Sequence, residues 1–450
     1  MMRNIAAIAV LVWGLSGAAR AEDVQAVYRP EQKAALTQWL DQHLAGLVET
    51  CKHVHAHPEL SLHETQTAEL VARGLRDAGL EVTTDVGGHG VVGVLRNGDG
   101  PVVLVRGDMD ALPVVEESGL DYASAVRVTQ PDGAVVGVMH ACGHDIHTTM
   151  VLGTAQALSA LRDQWHGTVV MIAQPAEELG LGAGAMIKDG LFERFPRPDC
   201  CLSLHVSHKL PVGTVAYTPG WSAANVDSVD ITIFGRGGHG ARPNSTVDPI
   251  VTAAYVITQL QTLVSRRVDP IEPAVVTVGS IHGGAKHNVI PDEVKLQLTV
   301  RSYTDAVRHQ LLDGIRQITT DVCKSFGCPK PPAVVVDDET FTPACYNDPA
   351  LTLAAAGVFR KLLGDDHVVE DPPEMGGEDF GQFARALNVP GLQYGLGSIS
   401  PETYQASLAP GAEPLPSLHS SRYRADTEDA VRYGVSTMTM LTLALLPAAE

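Results

Sequence analysis

Basic residues are scarce in this chain. Over 450 residues, 32 lysines and arginines face 52 aspartates and glutamates, a formal charge of −20. Nucleic acids and anionic membranes both need a basic footprint, so neither is an expected partner. Aromatics make up only 5%, and beyond the N-terminus no apolar run approaches the roughly 20 residues that span a bilayer. Low-complexity tracts and internal repeats are also absent, which removes disordered and solenoid readings. Cysteine occurs seven times, at 51, 142, 200, 201, 323, 328 and 345. That is too few for a disulfide framework in a chain able to rely on its core. The odd number leaves at least one thiol free or otherwise occupied. Cys323 and Cys328 are close enough in sequence to pair, and the sequence leaves that question open.

What is present begins with a leader. Arg3, the apolar run Ile5 to Leu15 and the small-residue end Ala19-Arg20-Ala21 form the pattern of a secretory signal peptide. Cleavage after Ala21 would yield a soluble periplasmic or secreted product. Its charge would be −22, since Arg3 and Arg20 are lost (30 minus 52).

Hydrophobic spacing predicts helices from Pro30 to about Val54 and from Thr65 to Ala78, and buried strands at Val91–Leu95 and Val102–Val105. A helix over Thr148–Leu161, a buried strand at Thr168–Ala173 and a short strand at Leu202–Leu204 follow. Such alternation implies an α/β sheet with ligands beyond the carboxyl ends of its strands. Near Val215 the pattern changes to β-α-β-β-α, beginning with the alternating strand Val226–Phe234, and from Thr342 the first character returns. The expected organisation is therefore a leader over 1–21 and a split catalytic domain over 22–216 and 335–450. A two-layer α+β insertion, a lid or dimerisation unit, occupies 217–334. The catalytic part is expected to be a mixed-sheet α/β domain with helices on both faces.

Chemistry-bearing residues cluster where strands end. His140-Ala141-Cys142-Gly143-His144-Asp145-Ile146-His147 is the densest group. If extended, it would aim Cys142 and His144 at one ion, and thiolate and imidazole are good donors to Zn²⁺ and its neighbours. Glu177 and Glu178 follow the Thr168 strand as a natural acid/base and metal-ligand pair. Asp108 and Asp110 follow the Val102 strand and are suited to hold ligand imidazoles from behind. His205 ends the Leu202 strand, and His419 lies in a Pro-rich stretch. A cysteine protease built on Cys142 is the rival reading, weakened by the absence of a helix-start signature at that residue and by the other metal donors downstream.

These segments resemble the amidohydrolase and aminoacylase branch of the zinc-peptidase family, which includes hippurate hydrolase and indole-acetyl-amino-acid hydrolases. The similarity also runs through Arg106 to Pro113, Gly237 to Pro243, His287 to Pro291 and Met375 to Phe380, covering nearly the whole mature chain. The resemblance implies a site for two divalent ions (zinc, manganese, cobalt or nickel) held by Cys142, His144, Glu178, His205 and His419, with Cys142 bridging. It implies Glu177 as the general base for the attacking water. It makes His239 the group that stabilises the oxyanion, often from a partner subunit, so a homodimer or higher homo-oligomer is expected. Asn288 and Arg301 match positions that hold the substrate's carboxylate, Gly376 and Gly377 shape the pocket, and Asp108 and Asp110 support the ligands.

Three functions fit this set. The first is a two-metal amidohydrolase that cleaves N-acyl or N-aroyl amino acids to a carboxylic acid and a free amino acid. The second is a metallo-dipeptidase or carboxypeptidase, against which the Cys142 motif weighs. The third is an exported binding protein that has lost catalysis, which the intact set of base and donors disfavours.

Overall fold

The computed structural model describes residues 26–131, 133–337 and 341–448, and the leader read at 1–21 lies outside them. Its centre is an eight-stranded sheet. In chain order the strands are β1 (Glu81–Val86), β2 (Gly90–Asn97), β3 (Val102–Asp108), β4 (Gly167–Gln174), β5 (Cys200–Pro211) and β6 (Val215–Tyr217). After an insertion come β11 (Val368–Glu370) and β12 (Gly391–Ile399). The spatial order is β1-β2-β4-β3-β5-β12-β6-β11. The central run β4-β3-β5-β12 is parallel, whereas β1, β2 and the β12–β6 pair are antiparallel. The sheet is therefore mixed, as expected.

Side chains along β3 and β4 alternate between two cores. Val103 and Val105, with Val169, Met171 and Ala173, face a large core. Its other wall is α1 (Pro30–Ala56), α3 (His144–Ala160) and α7 (Thr427–Leu445). Leu104, Val170 and Ile172 face the opposite way, against Met186, Phe380 and Phe383 of two short helices. A strand buried on both faces reads as a continuous apolar run, which is how Val-Val-Leu-Val and Val-Val-Met-Ile-Ala stand out. Among the described residues no helix is long and apolar enough to cross a membrane.

The insertion carries β7 (Asn225–Phe234), β8 (Ala274–His282), β9 (Glu293–Ser302) and β10 (Ala333–Val336) in an antiparallel sheet of order β8-β9-β7-β10. Helices α4 (Pro249–Thr262) and α5 (Asp305–Ser325) pack on it. Val229, Ile231 and Ile233 of β7 are buried with Val294, Leu296, Leu298 and Val300 of β9, while Ser228, Asp230, Glu293, Lys295 and Gln297 face out. One face buried and one wet is the usual economy of an antiparallel sheet. The chain enters and leaves the insertion through a paired neck, Gly220–Ala223 against Cys345–Asn347. Trp221 meets Tyr346 edge-on there, with ring centroids 4.9 Å apart.

Two expectations are corrected. The short strand at Leu202–Leu204 is a twelve-residue strand, because β12 pairs along it from Gly391 opposite Cys201 to Ile399 opposite Pro211. The apolar pattern stops early because His205, Ser207 and His208 stand at the mouth of the sheet, only partly buried. The helix expected at Thr148 begins four residues sooner, at His144. At the end of α5, Gly327 turns left-handed (φ 72°) and the Cys328 amide donates to the Cys323 carbonyl (3.0 Å). The two cysteines meet there as free thiols.

Candidate metal centre

Five segments converge at the carboxyl ends of the central strands. Cys142 and His144 do not lie on an extended segment. Between them Gly143 is left-handed (φ 78°), and a Cβ there would lie 2.5 Å from a Val206 methyl. Glycine satisfies both demands, and the tight turn passes directly into α3. Glu177 and Glu178 lie on a turn after β4, closed by the Gly180 amide donating to the Glu177 carbonyl (2.7 Å). His419 docks from the far end of the chain: its amide donates to the Ala141 carbonyl at 2.9 Å, with its own φ at 66°.

The donor atoms lie close together, with the Cys142 sulfur hydrogen-bonded to two imidazoles. Cys142 Sγ lies 3.5 Å from His205 Nε2 and 3.3 Å from His419 Nε2. Glu178 stands 3.9 Å from His144 Nε2 through Oε1 and 3.6 Å from His419 Nε2 through Oε2. Cys142, His144 and His205 form one set of potential metal donors, and Cys142, Glu178 and His419 form a second, each within 4.8 Å of one another. His144 Nε2 and Glu178 Oε1 are buried without a hydrogen-bond partner. Such atoms are costly to bury unless something else satisfies them.

Tautomers follow from the partners. Carbonyls only accept, so His144 Nδ1–H donates to Asp110 O (2.8 Å) and His205 Nδ1–H to Val206 O (2.8 Å). In the neutral ring each would present an Nε2 lone pair inward, as ligand imidazoles do; burial opposes protonation of His144, but Asp108 and Cys142 outweigh it and raise its pKa. His147 differs: its Nε2 accepts from the Val206 amide (2.9 Å) and its Nδ1–H donates to Asp108 Oδ1 (2.6 Å). With both nitrogens engaged it is not a metal donor. Asp108 thus supports His147 and Arg106 rather than a ligand imidazole directly, and lies 3.7 Å from His144 Nε2. Asp110 holds His144 chiefly through its backbone carbonyl, while its carboxylate accepts from Ser61 (2.6 Å) and the Glu178 amide (3.0 Å).

Burial pushes the Cys142 thiol well up, only partly opposed by His144. A thiol so placed is a poor free nucleophile, which counts against the cysteine-protease reading, whereas a divalent cation would deprotonate it. Burial also lifts Glu177 well above the usual carboxylate range, reinforced by Glu378 and Asp379. Burial and then the charge of His147 lower His205 to about 4, which keeps it neutral.

Behind Glu177 lies a buried ionic cluster that the strand-end pattern does not reveal. Arg106 is 0% exposed and reaches four groups: Gln174 (2.8 Å), Asp108 (2.6 Å), Glu378 (3.0 Å) and Asp379 (3.0 Å). Gln174 closes the ring onto Asp379 at 2.7 Å. An arginine inside a strand buried on both faces was the available signal, because such a charge demands buried acids. A second cluster was also missed. His55 bridges Asp145 (2.9 Å) and Glu116 (3.0 Å) behind the Cys142 turn.

The insertion's residues are grouped separately. A two-stranded ribbon pairs His239 with Val289, and the Gly240 amide donates to the Asn288 carbonyl, both side chains being exposed. His239 is absent from the donor sets. His239 Nδ1 accepts from the Ala241 amide (3.0 Å), so in the neutral ring Nε2 carries the proton. Arg301 is half-buried on β9, and its side chain has no hydrogen-bond or ion-pair partner among the described residues. Burial lowers its pKa from the ordinary value. It borders Gly377, where a Cβ would lie 2.5 Å from Val226 and 3.4 Å from Arg301 Nη1. Gly376 O accepts from the Ala224 amide at 2.8 Å.

Soft and hard donors with inward lone pairs, set beside a shielded carboxylate at the end of a parallel sheet, define a metal-dependent hydrolase of amide bonds. The chain belongs to peptidase family M20/M25/M40, whose model matches residues 104–413. It is 35% identical to thermostable carboxypeptidase 2 of Saccharolobus solfataricus, over 88% of this chain and 94% of that protein. It is 37% identical to IAA-amino acid hydrolase ILR1-like 4 of Arabidopsis thaliana, over 75% and 74%. The crystal structure of Bacillus subtilis YXEP protein, described as a dinuclear metal-binding peptidase, superposes with a TM-score of 0.72 at 28% identity. That match covers 90% of this chain and 99% of the other.

Proposed function

We propose that the protein hydrolyses the amide bond of N-acyl or N-aroyl amino acids, using two divalent ions held by Cys142, His144, Glu178, His205 and His419. The observation that carries this reading is that Cys142 belongs to both donor sets at once. A thiolate shared in that way suits a pair of adjacent cations, and the unpartnered His144 and Glu178 atoms fit the same need. When bound, such ions polarise an amide carbonyl and acidify water. The chain supplies the rest. Glu177 takes the proton from the attacking water and delivers it to the leaving amine, a task for which its raised proton affinity is suited. The Arg301 guanidinium, without a hydrogen-bond or ion-pair partner among the described residues, receives the substrate carboxylate, with Asn288 beside the ribbon as a second contact. His239 donates from Nε2 to the developing oxyanion.

A panel of hippurate, acetylated and fatty-acylated amino acids, aromatic conjugates and simple dipeptides tests the substrate class. The stripped protein is reloaded with zinc, manganese, cobalt or nickel for each run. N-acyl amino acids should exceed dipeptides in kcat/KM by at least about tenfold, the scale of one well-placed pocket contact. The reverse ranking would favour the second reading, a dipeptidase or carboxypeptidase, which the likeness to the thermostable carboxypeptidase supports.

His239 is exposed and outside the donor sets, which supports its acting from a partner subunit in a homodimer. Mixing inactive His239→Ala and Glu177→Gln chains should then restore activity, because one of the two sites in a heterodimer would be complete. Assays on subunit-exchanged mixtures whose heterodimers are verified by mass measure this. No recovery in such mixtures would confine His239 to its own chain.

A further inference from the structure

One fully buried carboxylate is used by nothing described so far. Glu64 precedes α2 (Thr65–Asp77) and is 0% exposed. Its Oε1 accepts the Ala176 amide at 2.7 Å, while Oε2 is buried without a partner. Ala176 immediately precedes Glu177 and Glu178, and it is left-handed, with φ at 51°. A side chain with a Cβ is strained in that region and stays there only when its surroundings hold it. The holding contacts lie on both sides of the residue. The Ala176 carbonyl accepts from the Leu181 and Gly182 amides (3.2 Å each), and among the described residues its amide is taken by Glu64 alone. The same segment reaches the next ligand-bearing amide: Ser61 donates to Asp110, and that carboxylate accepts from Glu178. Residues 59–64 are themselves pinned. Glu59 O accepts the Ala111 amide (2.8 Å), and the Glu59 carboxylate accepts the Thr67 amide (2.8 Å).

We propose that Glu64 is a positioning residue for the reaction, clamping Ala176 in the left-handed turn that aims Glu177 and Glu178. This rests on the roles given above to those two glutamates. A carboxylate in the place of water gives the clamp a fixed direction. It acts on the backbone rather than on either side chain, so it sets both aims at once.

The test uses the full-length protein with cobalt as the metal, whose visible spectrum reads ligand geometry without any substrate. Glu64→Ala should lower kcat by about 10²-fold with KM changed less than about threefold, the scale of an ångström-sized misplacement, and should shift the cobalt bands. Glu64→Gln keeps an acceptor and should stay near the parent in both readouts. Adding Ala176→Gly to Glu64→Ala should recover at least about tenfold of the lost turnover, because glycine adopts the turn without a clamp. Glu64→Met fills the volume without an acceptor and carries the same expectations as Glu64→Ala. Parent-like turnover and spectrum in the Ala or Met variant would overturn the proposal. So would a loss that glycine at 176 does not repair, or unfolding of both variants, which would make Glu64 purely structural. If no panel substrate is cleaved but the spectrum moves with Ala and returns with Gln, the clamp stands and the assignment of function fails.

Discussion

Glu177→Gln should leave the protein folded and metal-loaded while lowering turnover by about 10³-fold or more, the combined effect of losing a proton carrier and its solvent activation. The substitution keeps shape and removes only the ability to take a proton. Glu177 lies outside the two Cys142-sharing donor sets, though it also stands within reach of His144 and Glu178; with the Cys142 sets intact and an amide oxygen kept at 177, metal content should hold. Its surroundings explain the size of the effect. Burial, reinforced by Glu378 and Asp379, raises the proton affinity of the carboxylate. Single-turnover kinetics with elemental analysis on the same sample measure both halves. Activity within tenfold of the parent would take Glu177 out of the mechanism.

Cys142→Ser should cost metal before it costs anything else. Replacing the thiol touches both of the donor sets that share it, whereas replacing His205 or His419 touches one of them. Loss of an outer-shell partner lowers metal affinity by about 10–100-fold, and loss of a shared donor should exceed that. Elemental analysis after exhaustive dialysis should therefore find depleted metal, and residual activity should rise when metal is added to the assay. A dialysed serine variant with full occupancy would mean that the thiol is not a donor.

Much of this was legible in the sequence because it is local. Strands β3 and β4 announce themselves as apolar runs, and the acids and histidines after them mark where the sheet ends. Alternation along β7 marked the insertion as a different kind of layer. What was not legible depends on contacts across the fold. Nothing near residue 142 says that His419, 277 positions later, would stand 3.3 Å from the sulfur. The Cys142–His144 spacing suggested an extended segment. The actual turn depends on Gly143 avoiding Val206, a residue of β5. Glu64 lies among ordinary polar residues before a helix, and only the left-handed Ala176 on another strand end gives it a task. Arg106 alone could have been found, since a guanidinium in an otherwise apolar strand implies acids close by.

The neck at Gly220–Ala223 and Cys345–Asn347 has a mechanical consequence. Two hydrogen-bonded strands flex together far more readily than they slip past each other. Arg301, Asn288 and His239 ride on one side of that tether, and the strand-end acids and imidazoles stand on the other. On the function proposed above, the distance from a substrate's breaking bond to its carboxylate would be spanned in two parts. One part is fixed within the insertion, and the other is set by the bend of a few residues around Trp221 and Tyr346.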